Sequence, residues 1–532
     1  MFLLSMKSPH RLRFAAAFLA LAFVARAPAA TFDLSTATIA DIQAAMDAGA
    51  LTSEKLVQLY LARIQAYDTN GPKLASVLHL NANALEEARA LDAERKAKGP
   101  RGPFHGVPVV AKDVFDTVDM PTTGGYVALK GVKPTKDAFV IRKLREAGAI
   151  ILAKLNQSDW YTQPANIAAS SLGGNTLNPY DLTRTPGWSS SGTGAAIAAV
   201  FGAVGLGSET GFSIRTPTSD SNLYGLSTTS GLISRDGQMW SFVTGERGGP
   251  MTRNMYDLAA TLDVIAGFDT FDLWTAQSLG QMPMEPYTSF IDANGLRGAR
   301  VGVLKEGWDF TPSDPEVVEL AKKSIAIWSA NGAKVFDPIS FGFDLAQMLQ
   351  ANGGGSQFER IAAIDHYLAR QGPGYPFKNA KELLGAAGDI PIRANDTAGL
   401  KNPKDLDRDP EYRASLAGKE ALREATIALM DKYRLDALIF PHKLVKPVQL
   451  GPRREREGTY RSNGLSPRTG LPAMIVPMGF TADGNPVGLE ILGRPWSEPT
   501  LIKLASGYEA VTPHLRKLPA TTPSLPGERF EY

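Results

Sequence analysis

The chain has 532 residues, of which 44% are hydrophobic and 21% charged, with a formal charge of +2. That is a globular composition with length enough for a large core, and its near-neutral charge argues against nucleic acid or anionic lipid as a partner. Cysteine is absent, which excludes disulfides, thiolate metal sites and a cysteine nucleophile.

The first 30 residues read as an address. Lys7, His10, Arg11 and Arg13 form a basic start, Phe14 to Val24 is an apolar run of 11 residues, and Ala27-Pro28-Ala29 supplies the small residues of a cleavage site. Such a run spans about 16 Å as helix, too short to cross a bilayer. A signal peptide over 1–30 is therefore expected, with a periplasmic or secreted mature domain over 31–532 that keeps no stable membrane association. Its removal takes four basic residues and no acids, turning the charge from +2 to −2.

Thr38 to Met46 places Ile39, Ile42 and Met46 on one helical face, stopped by Gly49. Thr52 can cap a second helix with Leu56, Val57, Tyr60, Leu61 and Ile64 as its apolar stripe. A third spans Ala82 to Lys98, before Gly99-Pro100. Val107 to Ala111, Ile150 to Ala153 and Val301 to Leu304 are short apolar runs between turn signals, as buried strands are. This alternation predicts an α/β fold with a largely covered sheet. Ala195 to Val204 predicts a helix of small residues, and Leu206 to Ser213 a strand running into a tight turn. The stretch 340–445 is more polar and less regular, and reads as an insertion or cap. Met474 to Phe480 and Val487 to Leu492 flank Asp483-Gly484, a hairpin signal. A Pro-rich tail, Pro519 to Gly527, should run over the surface.

Several chemistries are missing. None of the six histidines forms His-Glu-x-x-His, and no acidic cluster has metal-ligand spacing. Gly-x-Ser-x-Gly and a P-loop are absent. A lone histidine such as His105 is read as structural.

Three segments remain. Gly102-Pro-Phe-His-Gly-Val-Pro-Val-Val-Ala-Lys112-Asp113 ends an apolar strand with a lysine. Burial there would disfavour its charged form and make it a general base rather than an ion-pair partner. Pro186-Gly-Trp-Ser189-Ser-Ser-Gly-Thr-Gly194 and Gly207-Ser-Glu-Thr-Gly-Phe-Ser213-Ile-Arg215 flank the small-residue helix, so both loops can meet at its ends.

In order and register these segments resemble the amidase signature family. The separation of 24 residues between Ser189 and Ser213 matches the family's spacing from bridging serine to nucleophile. Gly470-Leu-Pro-Ala-Met-Ile-Val-Pro477 and Pro486-Val-Gly-Leu-Glu-Ile-Leu-Gly-Arg-Pro495 resemble its C-terminal strands, and the likeness runs from about 35 to 515, weakest over 340–445. The resemblance implies a large mixed sheet covered by helices on both faces. It implies an amidohydrolase needing no metal and no organic cofactor. Ser213 would be the nucleophile, Ser189 the bridge and Lys112 the base, with an acyl-enzyme on Ser213. Backbone N–H groups of Thr210, Gly211, Phe212 and Ser213 would form the oxyanion site. A cis Trp188–Ser189 bond is implied too. Arg215 should anchor the nucleophile loop through Asp113, Asp116 or Glu209. Ser190 and Ser191 serve either the relay or the cap of the helix.

The chain departs from the family at Trp188 and Phe212, where glycine is usual, and at Glu209, where aspartate is. Trp188 and Phe212 should narrow the acyl pocket and favour flat or apolar groups. The rival readings are an esterase or carbamate hydrolase with the same residues, the amidotransferase subunit that acts on charged tRNA, and a non-catalytic periplasmic binding protein. The export signal and the absence of a basic bias oppose the tRNA reading.

Overall fold

Eleven short runs, apolar for most of their length, line up as the strands of one sheet. They are β1 (Val77–Leu80), β2 (Pro108–Lys112), β3 (Ile150–Leu155), β4 (Val204–Glu209), β5 (Tyr224–Ser227) and β6 (Arg247–Thr252). The second half of the chain adds β7 (Arg300–Leu304), β8 (Lys334–Ile339), β9 (Ala437–Pro441), β10 (Ala473–Phe480) and β11 (Pro486–Leu492). The computed structural model describes residues 30–162, 168–309, 313–351, 356–451 and 464–532. Except for Ala30, the expected signal peptide lies outside the described residues.

The strand order is β8-β7-β9-β11-β10-β5-β6-β4-β2-β3-β1. β2 runs parallel to β3 and β4, and β7 parallel to β8 and β9. Every other neighbouring pair is antiparallel. The sheet is thus mixed, with helices on both sides. Most of its central strands are buried along their whole length, which is why they read as near-continuous apolar runs. No helix among the described residues is long and apolar enough to cross a membrane.

Local chemistry sets the element ends. Thr38 and Asp41 form a reciprocal capping box on helix Ile39–Asp47, and Thr52 caps helix Ser53–Arg63 by accepting from Lys55 N. The hairpin between β10 and β11 closes as Gly484, at φ 82°, donates to Thr481 O. The Pro-rich tail is tied down: buried Arg63 donates to Thr522 O and Pro523 O and pairs with Glu528. Arg529–Glu531 then pairs antiparallel with Thr31–Asp33.

Two expectations are corrected. The small-residue helix spans Ser191–Ala198, not Ala195 to Val204, because Val200 turns left-handed at φ 61° and Val204 already opens β4. The stretch 340–445, expected to be less regular, is largely helical. It carries helices Leu345–Ala351, Ser356–Gln371, Ala380–Gly385, Ala394–Lys401 and Pro410–Tyr433 and ends in β9, inside the sheet. Helix Pro410–Tyr433 begins on an Asp409 cap with proline in its first turn. Its apolar positions Leu422, Leu429 and Met430 enter a second core cluster with Leu438 and Phe440 of β9.

Candidate active site

Strand register brings the three segments together. In the parallel pair β2–β4, Ala111 lies opposite Leu206, so Lys112 and Ser208 emerge at the same, C-terminal edge of the sheet. In open α/β sheets that edge is where ligands bind. In the antiparallel pair β4–β6, Glu209 faces Arg247, so the residues just beyond them, Thr210 and Glu246, also meet.

Lys112 is wholly buried. Its Nζ donates to Ser189 Oγ at 2.6 Å and to Ser208 Oγ at 2.9 Å, and lies 5.6 Å from the centre of the Trp160 ring. No carboxylate forms an ion pair with it among the described residues. Burial pushes its pKa down to about 7, against the pull of Glu246 and Glu209 and with a smaller push from Arg393. Near neutral pH much of it is therefore an amine able to accept a proton.

The Ser189 backbone N–H donates to Ser213 Oγ at 3.3 Å. Both serines are at most 8% exposed. Lys112, Ser189 and Ser213 thus form one chain of contacts across three elements. Ser190 heads helix Ser191–Ala198 without capping it, since its hydroxyl donates to Ser208 O (3.1 Å) and accepts from Ser208 N (3.3 Å). It fastens the Ser189 loop to β4.

The implied cis bond is not present. Trp188–Ser189 is trans, and among the described residues the cis peptide is Asp337–Pro338. Gly187, at φ 111° and packed against the Thr216–Pro217 backbone, turns the chain instead.

The turn Thr210–Ser213 carries the residues expected to hold an oxyanion. Thr210, Gly211 and Phe212 are partly exposed, whereas β4 before them is buried. Trp188 and Phe212 meet across the two loops with ring centroids 5.5 Å apart.

Of the three candidate partners for Arg215, the structure selects Glu209. Arg215 Nε donates to Glu209 Oε1 at 2.5 Å, while Glu209 Oε2 accepts from the backbone N–H groups of Ile214 and Arg215. Arg215 Nη1 also donates to Glu490 Oε1 at 2.7 Å. Glu490 Oε2 then meets His442 Nδ1 at 2.8 Å, and His442 Nε2 meets Thr216 Oγ1 at 2.9 Å. Arg247 closes the cluster, 3.7 Å from Glu209. Asp113 instead pairs with Lys154 (3.1 Å) and Asp116 with Arg370 (2.8 Å). His105 is structural, its Nε2 on Leu91 O at 2.9 Å.

Sequence reasoning missed Ser208, Glu246, Glu490 and His442. Glu490 left a legible mark, a carboxylate inside the apolar run Val487 to Leu492. The others needed the strand register. No group of His, Asp and Glu among the described residues is arranged to hold a metal ion.

A family model described as Amidase matches residues 55–502. A glutamyl-tRNA(Gln) amidotransferase subunit from Myxococcus xanthus is 33% identical over 508 residues, covering 90% of this chain and 97% of that protein. A probable amidase of Arabidopsis thaliana is 30% identical, covering 91% of each. The crystal structure of native peptide amidase from Stenotrophomonas maltophilia superposes with a TM-score of 0.82 at 33% identity, over 92% of this chain and 99% of that one. An amidase family protein of Bacillus anthracis gives 0.79 at 29% identity, over 91% and 92% of the two chains. The family model, the peptide amidase and the probable amidase support the class, an amide-cleaving hydrolase. The chain belongs to the amidase signature family.

Proposed function

We propose that the chain hydrolyses a carboxylic amide through an acyl-enzyme on Ser213. The observation that carries this is the buried Lys112, without an ion pair among the described residues, whose Nζ stands 2.6 Å from Ser189 Oγ while the Ser189 N–H reaches Ser213 Oγ. With the amine neutral, the first contact reverses and the Ser189 hydroxyl donates to Nζ. Ser213 Oγ attacks the acyl carbon and gives its proton to Ser189, which passes its own to Lys112. The oxyanion is held by the N–H groups of Thr210, Gly211, Phe212 and Ser213. The relay then returns a proton to the departing amine, and water releases the acid by the same route.

Similarity to the Stenotrophomonas peptide amidase makes peptide amides the first substrates to test, beside aryl amides and matched esters. Residues 1–30 would direct the chain to the periplasm or beyond, and the mature protein should then begin near Ala30. A fluorophosphonate should label Ser213, and Ser213→Ala should lose both label and turnover. Ligand binding without label or turnover would instead make the chain a binding protein. Ester turnover with no amide turnover would make it an esterase.

A further inference from the structure

We propose that Glu246 is a positioning residue of this site, a role that rests on the reading of Ser213 as nucleophile. Its carboxylate tethers the nucleophile turn from across the β4–β6 pair and presents to Lys112 a negative charge whose hydrogen-bond donors, among the described residues, are neutral.

The geometry is specific. Glu246 is 1% exposed. Oε2 accepts from Thr210 Oγ1 at 2.8 Å and from Ser241 N at 3.0 Å, and Oε1 from Gln238 Nε2 at 3.4 Å. One carboxylate thus joins the turn that ends at Ser213 to the loop 238–241. That loop is in turn braced by helix Ser356–Gln371, since Arg360 Nη1 donates to Ser241 Oγ at 3.2 Å. A buried carboxylate is costly, and its neighbours feel its charge in a low-dielectric interior. The charges that act on Glu246 or Lys112 are these two on each other, Glu209 on β4, Arg247 at the head of β6, Arg360, and Arg393 ahead of helix Ala394–Lys401. Among them Glu246 acts most strongly on Lys112. Burial raises the pKa of Glu246 above the usual carboxylate value, with Lys112 opposing.

Two effects follow. Holding Thr210 fixes the backbone N–H groups beside it. The negative charge favours the ammonium form of Lys112, so it sets the pH at which the relay can begin. Glutamine at 246 keeps an acceptor for Thr210 and removes the charge, whereas alanine removes both.

The test is the rate at which a fluorophosphonate labels Ser213, measured against pH on the full chain and on Glu246→Gln, Glu246→Ala and Thr210→Val. In the parent the rate should rise with pH around 7, the value to which Lys112 is depressed. Glu246→Gln should move that midpoint down by about one unit, because losing a nearby negative charge disfavours the ammonium. Glu246→Ala should also label about tenfold or more slowly at its plateau, consistent with a loosened oxyanion turn. Thr210→Val should reproduce the slowing without the shift. An unmoved midpoint in Glu246→Gln overturns the proposal while leaving Ser213 as nucleophile. A parent whose Ser213 takes no label overturns the nucleophile reading and this inference with it. Should Glu246→Ala fail to fold, the midpoint of Glu246→Gln decides.

Discussion

Two buried charge clusters sit at the same edge of the sheet and are wired in opposite ways. Around Arg215 each charge meets its opposite: Glu209 and Glu490 flank the guanidinium, Arg247 stands beside Glu209, and His442 hydrogen-bonds Glu490. Around Lys112 the direct partners are the hydroxyls of Ser189 and Ser208. The first arrangement fixes charge and geometry together, because removing either partner of a buried pair strands the other. The second leaves a proton free to come and go. Adjacent strands thus provide a clamp and a titrating group, separated by the turn that bears Ser213.

The sharpest way to break this contrast is to remove the titrating group. Lys112→Ala should lower kcat/KM for a good amide by about 10²–10⁴-fold, and the remaining activity should lose its rise with pH around 7. An assay across pH 5.5–9 checks both. The clamp should respond in stability instead. Glu490→Ala takes from Arg215 one of its two carboxylates and from His442 its carboxylate partner and should cost about 3 kcal/mol, read from the urea midpoint.

Lys112→Met should do the reverse and stabilise the fold. Between pH 7 and 10.5 the unfolded chain holds a proton that folded Lys112 lacks, so the parent gains stability as pH rises through that window. Below it the burial penalty is complete, on the order of 5 kcal/mol. The advantage of Lys112→Met should therefore be larger at pH 6 than at pH 9, by chemical denaturation at both. The smallest effect is expected at the pocket wall. Phe212→Ala removes the ring contact with Trp188, worth about 1 kcal/mol, and should shift preference toward bulky aliphatic acyl groups. Matched amide pairs would measure it.

What was legible in the chain follows from the range of each interaction. β2, β3 and β7 announce themselves because each is a short apolar run between turns. Lys112 stood out as a charge ending such a run, and Ser189 and Ser213 through glycine-rich loops and their spacing. Arg215 was visible as an anchor, but its partners were not. Glu209 competed with two aspartates on another segment, and Glu490 arrives from β11, across several intervening strands. Glu246 was hidden for the same reason, since only the β4–β6 register sets it against Thr210. The region 340–445 misled because its helices are short or polar on their outer faces. Their anchoring residues, such as Arg360 and Arg370, look like ordinary surface charges in one dimension. The Trp188–Ser189 bond was inferred from kinship, and here Gly187 makes the turn instead.

Helix Ser191–Ala198 has a consequence of its own. A methyl group on Gly192 would stand 2.2 Å from Asn156 O, and one on Gly194 would stand 2.9 Å from Pro217 O. At Gly192 the helix is therefore pressed main chain on main chain, and at Gly194 it is closed in by Ser221 Oγ at 2.8 Å as well as by the Pro217 backbone. Evolution or an engineer can reshape the rim of this pocket through Trp188 and Phe212 at small expense. The bearing beneath it accepts nothing larger than hydrogen, so new specificities should be sought in the walls and never in the axle.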